Sequence, residues 1–376
     1  MIIGVPREIK EGENRVSMTP AGVHTLVSAG HHILFEQGAG AGSGLTDEEY
    51  AREGAEIVES KRTVYARSDM IVKVKEPLDI EISLLQEGQI LFTYLHLASS
   101  EKLTKGLAKR KVTAVAYETM EDMFGRLPLL IPMSEVAGRI SVQVAMRFLE
   151  SDHGGRGVLL SGVPGVPPAD VVIIGCGVVG INAARIAAGL GAHVTVIDIS
   201  QHRLRYVEDI MHGQVMTVYS TSHAIRRAIQ YADVLIGAVL VPGAKAPVLV
   251  TEQMVALMKP GSVIVDVSVD QGGCVETIRP TSHSEPTYTL YDVIHYAVPN
   301  MPASVPRTST FALTNATLPY IETIASMGVK KAAAKDPLIA SGINVKKGVV
   351  THPAVAEAFG VTSSILCQQA KTWCTP

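Results

Sequence analysis

Short apolar runs rich in β-branched residues alternate along this chain with longer stretches whose apolar positions recur every three or four residues. Buried parallel strands and the helices that cover them produce that rhythm. In the first third the strand-like runs are Ile2–Val5, His32–Glu36, residues 70–74, Ile90–Thr93 and Thr113–Ala116. Residues 20–29 predict a helix, with Thr19 as its N-cap and Pro20 at its first position. Further strands are expected at 171–174, at the run ending on Asp198, at Val215–Tyr219, and at 234–238, 262–267 and 288–291. From Phe311 onward the pattern reads as helical, most clearly over 312–325.

Two α/β halves follow from this alternation. Residues 134 to about 150 predict a long helix, with Val136, Ile140, Val144 and Phe148 along one stripe and Ser134 as its cap. A long helix crossing between the halves near 134 would suit a cleft, with a return crossing near 307. Periodicity alone leaves open whether the C-terminal helices pack on the second half or return to the first.

The segment VVIIGCGVVGINAARIAAGLGAHVTVID, residues 171–198, carries the first candidate chemistry. A strand leads into Gly175, Gly177 and Gly180, an Ala-rich helix follows, and a second strand ends on Asp198, eighteen residues beyond Gly180. Glycines permit a tight turn and close approach of backbone to a pyrophosphate, while the helix start offers unpaired N–H groups and partial positive charge. The terminal acid accepts hydrogen bonds from ribose hydroxyls. The plain alternative is a structural βαβ unit without ligand. Asp198 repels a 2′-phosphate and so favours NAD over NADP, although nearby Arg203 could accommodate the extra phosphate.

Composition removes several classes. With 376 residues, 47% hydrophobic and 18% charged, the chain is globular rather than disordered and long enough for two cores. A net charge of −3 offers no electrostatic case for nucleic acid or an anionic membrane. The run 171–184 is too short to span a bilayer, and the opening MIIGVPREIK lacks a secretory apolar stretch, so a cytoplasmic protein is expected. Cys176, Cys274, Cys367 and Cys374 have neither metal-ligand nor redox spacing; no metal and no disulfide framework are expected.

Three charged residues of the first half stand at telling places. Arg15, shortly after the first strand, suits a carboxylate because its planar fork bonds both oxygens; otherwise it is a solvated surface arginine. Lys75 ends MIVKVK, where a charge is unusual unless paired; it either serves a site or reaches solvent, and Lys73 could be the one that snorkels. His96 follows LFTYL at a strand's carboxyl end, the edge where clefts form in open parallel sheets, although a structural histidine would read the same way. In the second half, VIVDVSVDQGGC places Asp270 after an apolar run, where a carboxylate would face the nicotinamide end if that strand lies beside the glycine turn. Asp266 sits within the run and reads as structural. Asn300, on a proline-rich loop, could hold an amide or ribose, or simply make a turn.

With those residues in place, the chain resembles the NAD-dependent L-alanine dehydrogenases over nearly its whole length. The matching segments are GVPREIKEGENRVSMTP, VKVKEP, FTYLHLA, PMSEVAGR, GGRGVLLSGVPGVPPADVVIIGCGVVG, IGAVLVPGAKAP, VDQGGC and VPNMPASVPRTST. The tail from about residue 361, ending CQQAKTWCTP, matches no family pattern. The resemblance implies an α/β fold of two Rossmann-like domains with mostly parallel sheets: a discontinuous substrate domain, 1–128 with 307–376, and an NAD-binding domain, 129–306. It implies Arg15 and Lys75 on the substrate carboxylate, with His96 and Asp270 as acid/base groups. For NAD it points to Ser134, Val178, Val179, Asp198, Arg203, Ser220, Val239, Leu240, Val267, Ser268, Val269, Asp270, Arg279, Val298, Pro299, Asn300 and Met301. Tyr94, Leu130 and Met133 are candidates for an apolar wall beside the substrate methyl, although core packing would explain them equally. The implied reaction is reversible oxidative deamination of L-alanine to pyruvate and ammonium, by a cytoplasmic homohexamer with no nucleic-acid or membrane partner. The rival functions are a non-catalytic NAD(H)-binding subunit of the transhydrogenase type and a saccharopine-type dehydrogenase.

Overall fold

A computed structural model describes residues 1–240 and 245–360. The C-terminal tail with Cys367 and Cys374, and part of the IGAVLVPGAKAP segment, lie outside the described residues. The chain divides into two compact units, one of Met1–Met133 together with the described residues from Ala303 on, the other of Ser134–Pro302.

The first unit holds an eight-stranded sheet. Six strands are parallel: β1 (Ile2–Val5), β2 (His32–Glu36), β3 (Glu56–Val58), β4 (Met70–Val72), β5 (Ile90–Thr93) and β6 (Thr113–Ala116). Their lateral order is 6-5-4-1-2-3. The helix Pro20–Ser28 starts as its sequence dictates, Thr19 accepting the N–H of Gly22 and Pro20 at N1. Leu34, Ile71, Leu91 and Ala114 face one core with Leu103 and Leu107 of the helix Glu101–Arg110.

The purely helical expectation beyond Phe311 is corrected. The helix Pro306–Lys335, broken at Gly328, and the helix Pro337–Gly342 lead into a hairpin, Ile343–Lys346 and Val349–Val350. Its first strand adds antiparallel to β6. The tight turn is made by Lys347 and Gly348, both at positive φ, and so short a pair of strands leaves almost no alternation to detect.

The second unit holds a seven-stranded sheet. In chain order its strands are β7 (Asp170–Ile174), β8 (His193–Asp198), β9 (Val215–Tyr219), β10 (Val234–Gly237), β11 (Val263–Asp266), β12 (Thr287–Leu290) and β13 (Val293–Tyr296), and the lateral order is 12-13-11-10-7-8-9. Only β12 is antiparallel. The run expected at 288–291 is therefore an edge strand, and the buried strand beside it, β13, went unread. Tyr291 and Asp292 take the turn at φ 55° and 57°, with no glycine to announce a hairpin.

Ser134 is not a cap. The helix begins three residues earlier, at Ile131, and runs to Leu149 with Pro132 in its first turn, a place proline tolerates well.

Candidate active site

In the first unit the predicted residues gather past the carboxyl ends of neighbouring parallel strands. Lys75 follows β4, and His96 follows β5. Arg15 is only 2% exposed, which removes the surface-arginine alternative. Such burial demands a partner, and sequence reading missed it: Glu13 takes Nε at 2.7 Å and Nη2 at 2.5 Å. Nη1 of Arg15 meets Sδ of Met133 at 3.0 Å. An acid two positions before a strand-following arginine was the only available signal.

Lys75 is half-buried and its ammonium pairs with no described residue. Burial and then the Arg15 charge hold its pKa below the usual lysine value, against an opposing pull from Glu76. Its carbonyl accepts from Thr93 Oγ1 at 2.9 Å, tying β4's end to β5. Two cations close enough to repel form a ready site for a carboxylate. Lys73 does not snorkel: it is fully buried, 2.9 Å from both Glu8 and Glu81. Lys61 extends this network to Glu36 and Glu81.

The His96 ring is exposed and lies nearly parallel to that of Tyr94, centroids 6.0 Å apart. Tyr94 is buried and donates its hydroxyl to the Leu129 carbonyl at 2.6 Å, which holds its ring in place. Met133 is buried against Arg15, while Leu130 is half-buried.

The second unit carries the glycine turn at the ends of β7 and β10. Gly175, at φ 102°, has no room for a side chain, since a Cβ would lie 2.4 Å from the Ala238 carbonyl oxygen. A Cβ on Gly180 would meet the Gly175 carbonyl at 1.9 Å, so only glycine lets the helix Val178–Gly189 pack this close. Around Gly177, by contrast, a Cβ would meet nothing within 4 Å. Gly177 caps that helix without a side chain, leaving backbone donors facing open space. That is the shape a pyrophosphate requires.

Asp198 ends β8, and Ser220, past β9, gives its N–H to the Asp198 carbonyl at 3.0 Å. Arg203 is exposed on the next helix, Gln201–Met211. The loops after β10 and β11 are joined by Val239 N–H donating to Ser268 Oγ at 2.9 Å, next to exposed Leu240. Ser268 and Val269 are buried and Val267 half-buried, whereas Asp270 is exposed and its carboxylate pairs with no described residue. Asp266 is structural as expected: its carboxylate accepts N–H groups from Ser268, Cys274 and Val275. Arg279 stacks over the Tyr288 ring at 4.4 Å. Val298 and Met301 are buried, Pro299 is half-buried, and Asn300 occupies left-handed backbone at φ 59°. Ser134 lies one turn before Gly138, where a Cβ would meet the Val179 carbonyl at 2.2 Å, which sets that helix tightly against the glycine-turn helix. Cys176 and Cys274 are buried and unbridged, and burial pushes the Cys176 thiol up to about 12.

Sequence comparison matches residues 4–137 to the family described as alanine dehydrogenase/PNT, N-terminal domain, and residues 141–353 to its C-terminal domain. An alanine dehydrogenase of Methanococcus maripaludis is 56% identical over 95% of this chain and 96% of its own length. One of Bacillus subtilis is 54% identical over 96% and 95% respectively. Among solved structures, an L-alanine dehydrogenase superposes with a TM-score of 0.93 at 53% identity, covering 96% of this chain and 99% of the other. A transhydrogenase from Sinorhizobium meliloti gives 0.81 at 25% identity, covering 94% and 100%.

Proposed function

The chain belongs to the alanine dehydrogenase/PNT family, and from that premise we propose that it catalyses the reversible NAD-dependent oxidative deamination of L-alanine to pyruvate and ammonium. The observation that carries this reading is a cluster of functional side chains in one unit: Lys75 just past β4 and His96 just past the neighbouring β5, with the buried Arg15 guanidinium acting on the lysine's charge. A subunit that only binds nucleotide has no use for that cluster. Identity also favours the dehydrogenases, at 53% or more against 25% for the transhydrogenase.

The glycine turn fits a dinucleotide: Gly177 opens the helix start, and Asp198 offers a carboxylate at the neighbouring strand end. The chemistry NAD would supply when bound is a hydride acceptor for the α-carbon of alanine. Val178 and Val179 would meet it at the helix start, Asp198 and Ser220 on the ribose side, and the loops with Val239, Ser268, Asp270 and Asn300 would complete the shell.

Arg15 and Lys75 hold the substrate carboxylate and fix the direction of its α-carbon. Glu13 keeps the arginine's fork in plane. His96 or Asp270 removes a proton from the water that adds to the imine carbon. The same group returns that proton to the carbinolamine nitrogen, and as the C–N bond breaks the hydroxyl proton passes to the departing ammonia, leaving pyruvate and ammonium. Each acid/base group contributes ~10²–10⁴-fold. Tyr94 and Met133 bound the space beside the methyl group.

The enzyme works in the cytoplasm as a homohexamer in this reading, and no helix among the described residues is long and apolar enough to cross a membrane. Sedimentation of the full chain tests the assembly. NADH oxidation by pyruvate with ammonium tests the reaction, run beside 2-oxoglutarate with lysine for the saccharopine-type alternative. Absence of NADH loss in the first assay refutes the proposal.

A further inference from the structure

His96 is held in an unusual backbone, at φ 49° and ψ 41°. For a residue with a Cβ the left-handed region is strained, and it persists only where surroundings over-determine it. Here they do so from both sides. The His96 carbonyl accepts Ser99 Oγ at 2.7 Å and Ser99 N–H at 3.0 Å. Its N–H donates to Glu118 Oε1 at 2.6 Å, and the preceding N–H, of Leu95, reaches Oε1 and Oε2 of the same carboxylate at 3.2 Å each.

Two successive amides converging on one anion form a nest of the kind that ordinarily binds a ligand. In this molecule the chain's own side chain fills it. Sheet register explains how. Strands β5 and β6 are parallel with Thr93 opposite Ala116, so Leu95 and Glu118, each two residues farther on, emerge side by side. Glu118 is half-buried on the short helix Tyr117–Thr119, and its charge also acts on Tyr94, whose ring runs parallel to that of His96.

Resting on the reading of His96 as an acid/base group, we propose that Glu118 is a positioning residue. It holds the Leu95–His96 backbone in the conformation that aims the imidazole, and it does so without touching the substrate. The carboxylate is needed for its reach and its two acceptors. Its charge strengthens those bonds, but only where the side chain is long enough to reach both amides.

The test uses the full-length enzyme and its Glu118→Ala, Glu118→Asp and Glu118→Gln variants, assayed as NADH oxidation by pyruvate and ammonium. Fluorescence titration with NADH checks that each variant is folded. In Glu118→Ala, kcat should fall roughly 10- to 100-fold, as expected for a misaimed catalytic group. The KM for pyruvate should stay within about threefold, since Arg15 and Lys75 are untouched. Glu118→Gln, with full reach and one carbonyl acceptor, should keep more kcat than Glu118→Asp, which keeps the charge but is one methylene short. Wild-type kcat in the Asp or Ala variant, a KM that rises in step with the loss of kcat, or a Gln variant no better than Asp overturns the proposal. If the Ala variant does not fold, the Asp and Gln variants decide it by the same criteria. A wild-type enzyme that binds NADH but does not oxidise it with pyruvate and ammonium refutes the functional reading instead, whatever the variants do.

Discussion

The Asp198 carboxylate accepts the backbone N–H of Cys176 at 2.6 Å through Oδ2, and that of Ser200 at 2.7 Å through Oδ1. The acid at the end of β8 therefore braces the glycine turn as well as facing the place expected for a ribose. Each oxygen keeps a lone pair for a hydroxyl.

Removing that side chain should do two things at once. Asp198→Ala deprives a buried N–H of its acceptor and removes the proposed ribose partner, so the Kd for NADH should rise roughly 10- to 100-fold, as the loss of a charged hydrogen bond implies. NADPH, whose 2′-phosphate a carboxylate at that place would repel, should be weakened much less or should gain. Fluorescence titration with both nucleotides checks this, and an unchanged preference would show that Asp198 does not read the ribose.

His96 has a plainer expectation. His96→Ala should lower kcat by ~10²–10⁴, the range of a single acid/base group. Steady-state turnover in both directions measures it. Near-full turnover would move the proton chemistry to Asp270.

Lys75 brings a pH dependence. Burial and Arg15 lower its pKa, so it loses its proton at a lower pH than free lysine does. Affinity for a carboxylate should be full while the ammonium is charged and should fall as pH rises through that lowered value. The Kd of oxamate, an unreactive carboxylate resembling pyruvate, should show this alkaline loss. Lys75→Arg, whose guanidinium stays protonated, should bind more weakly overall but without the inflection. An inflection that persists in the variant would assign it to another group.

The Glu8–Lys73–Glu81 cluster predicts a stability effect. Lys73→Met leaves buried Glu8 without its cation beside Glu81, which keeps only the longer contact to Lys61, and should destabilise the fold by about 3–5 kcal/mol. Urea unfolding of the variant beside wild type measures the change. A loss below 1 kcal/mol, the usual ceiling for an exposed pair, would mean that the cluster is solvated.

The glycine turn was readable because its constraints are local. Gly175, Gly177 and Gly180 sit where any dinucleotide turn needs them, and the strands on either side are runs of β-branched residues. The start of the helix Ile131–Leu149 was misread for a local reason too: Ser134 looks like a cap, but a proline two residues earlier fits a first helical turn just as well. The hairpins at Tyr291–Asp292 and Lys347–Gly348 escaped notice because their strands are short and the first turn carries no glycine.

The α/β alternation, the glycine turn with its terminal acid, and the identity of the charged residues after β4 and β5 could be read along the chain, because hydrophobic period and turn chemistry are properties of neighbours. What those charges meet emerges only in the folded molecule. Arg15 is forked by Glu13, Lys73 is locked between Glu8 and Glu81, and His96 is held by Glu118. Burial turns each such charge into a demand for a partner, and sheet register, which joins residues far apart in the chain, chooses which partner answers it.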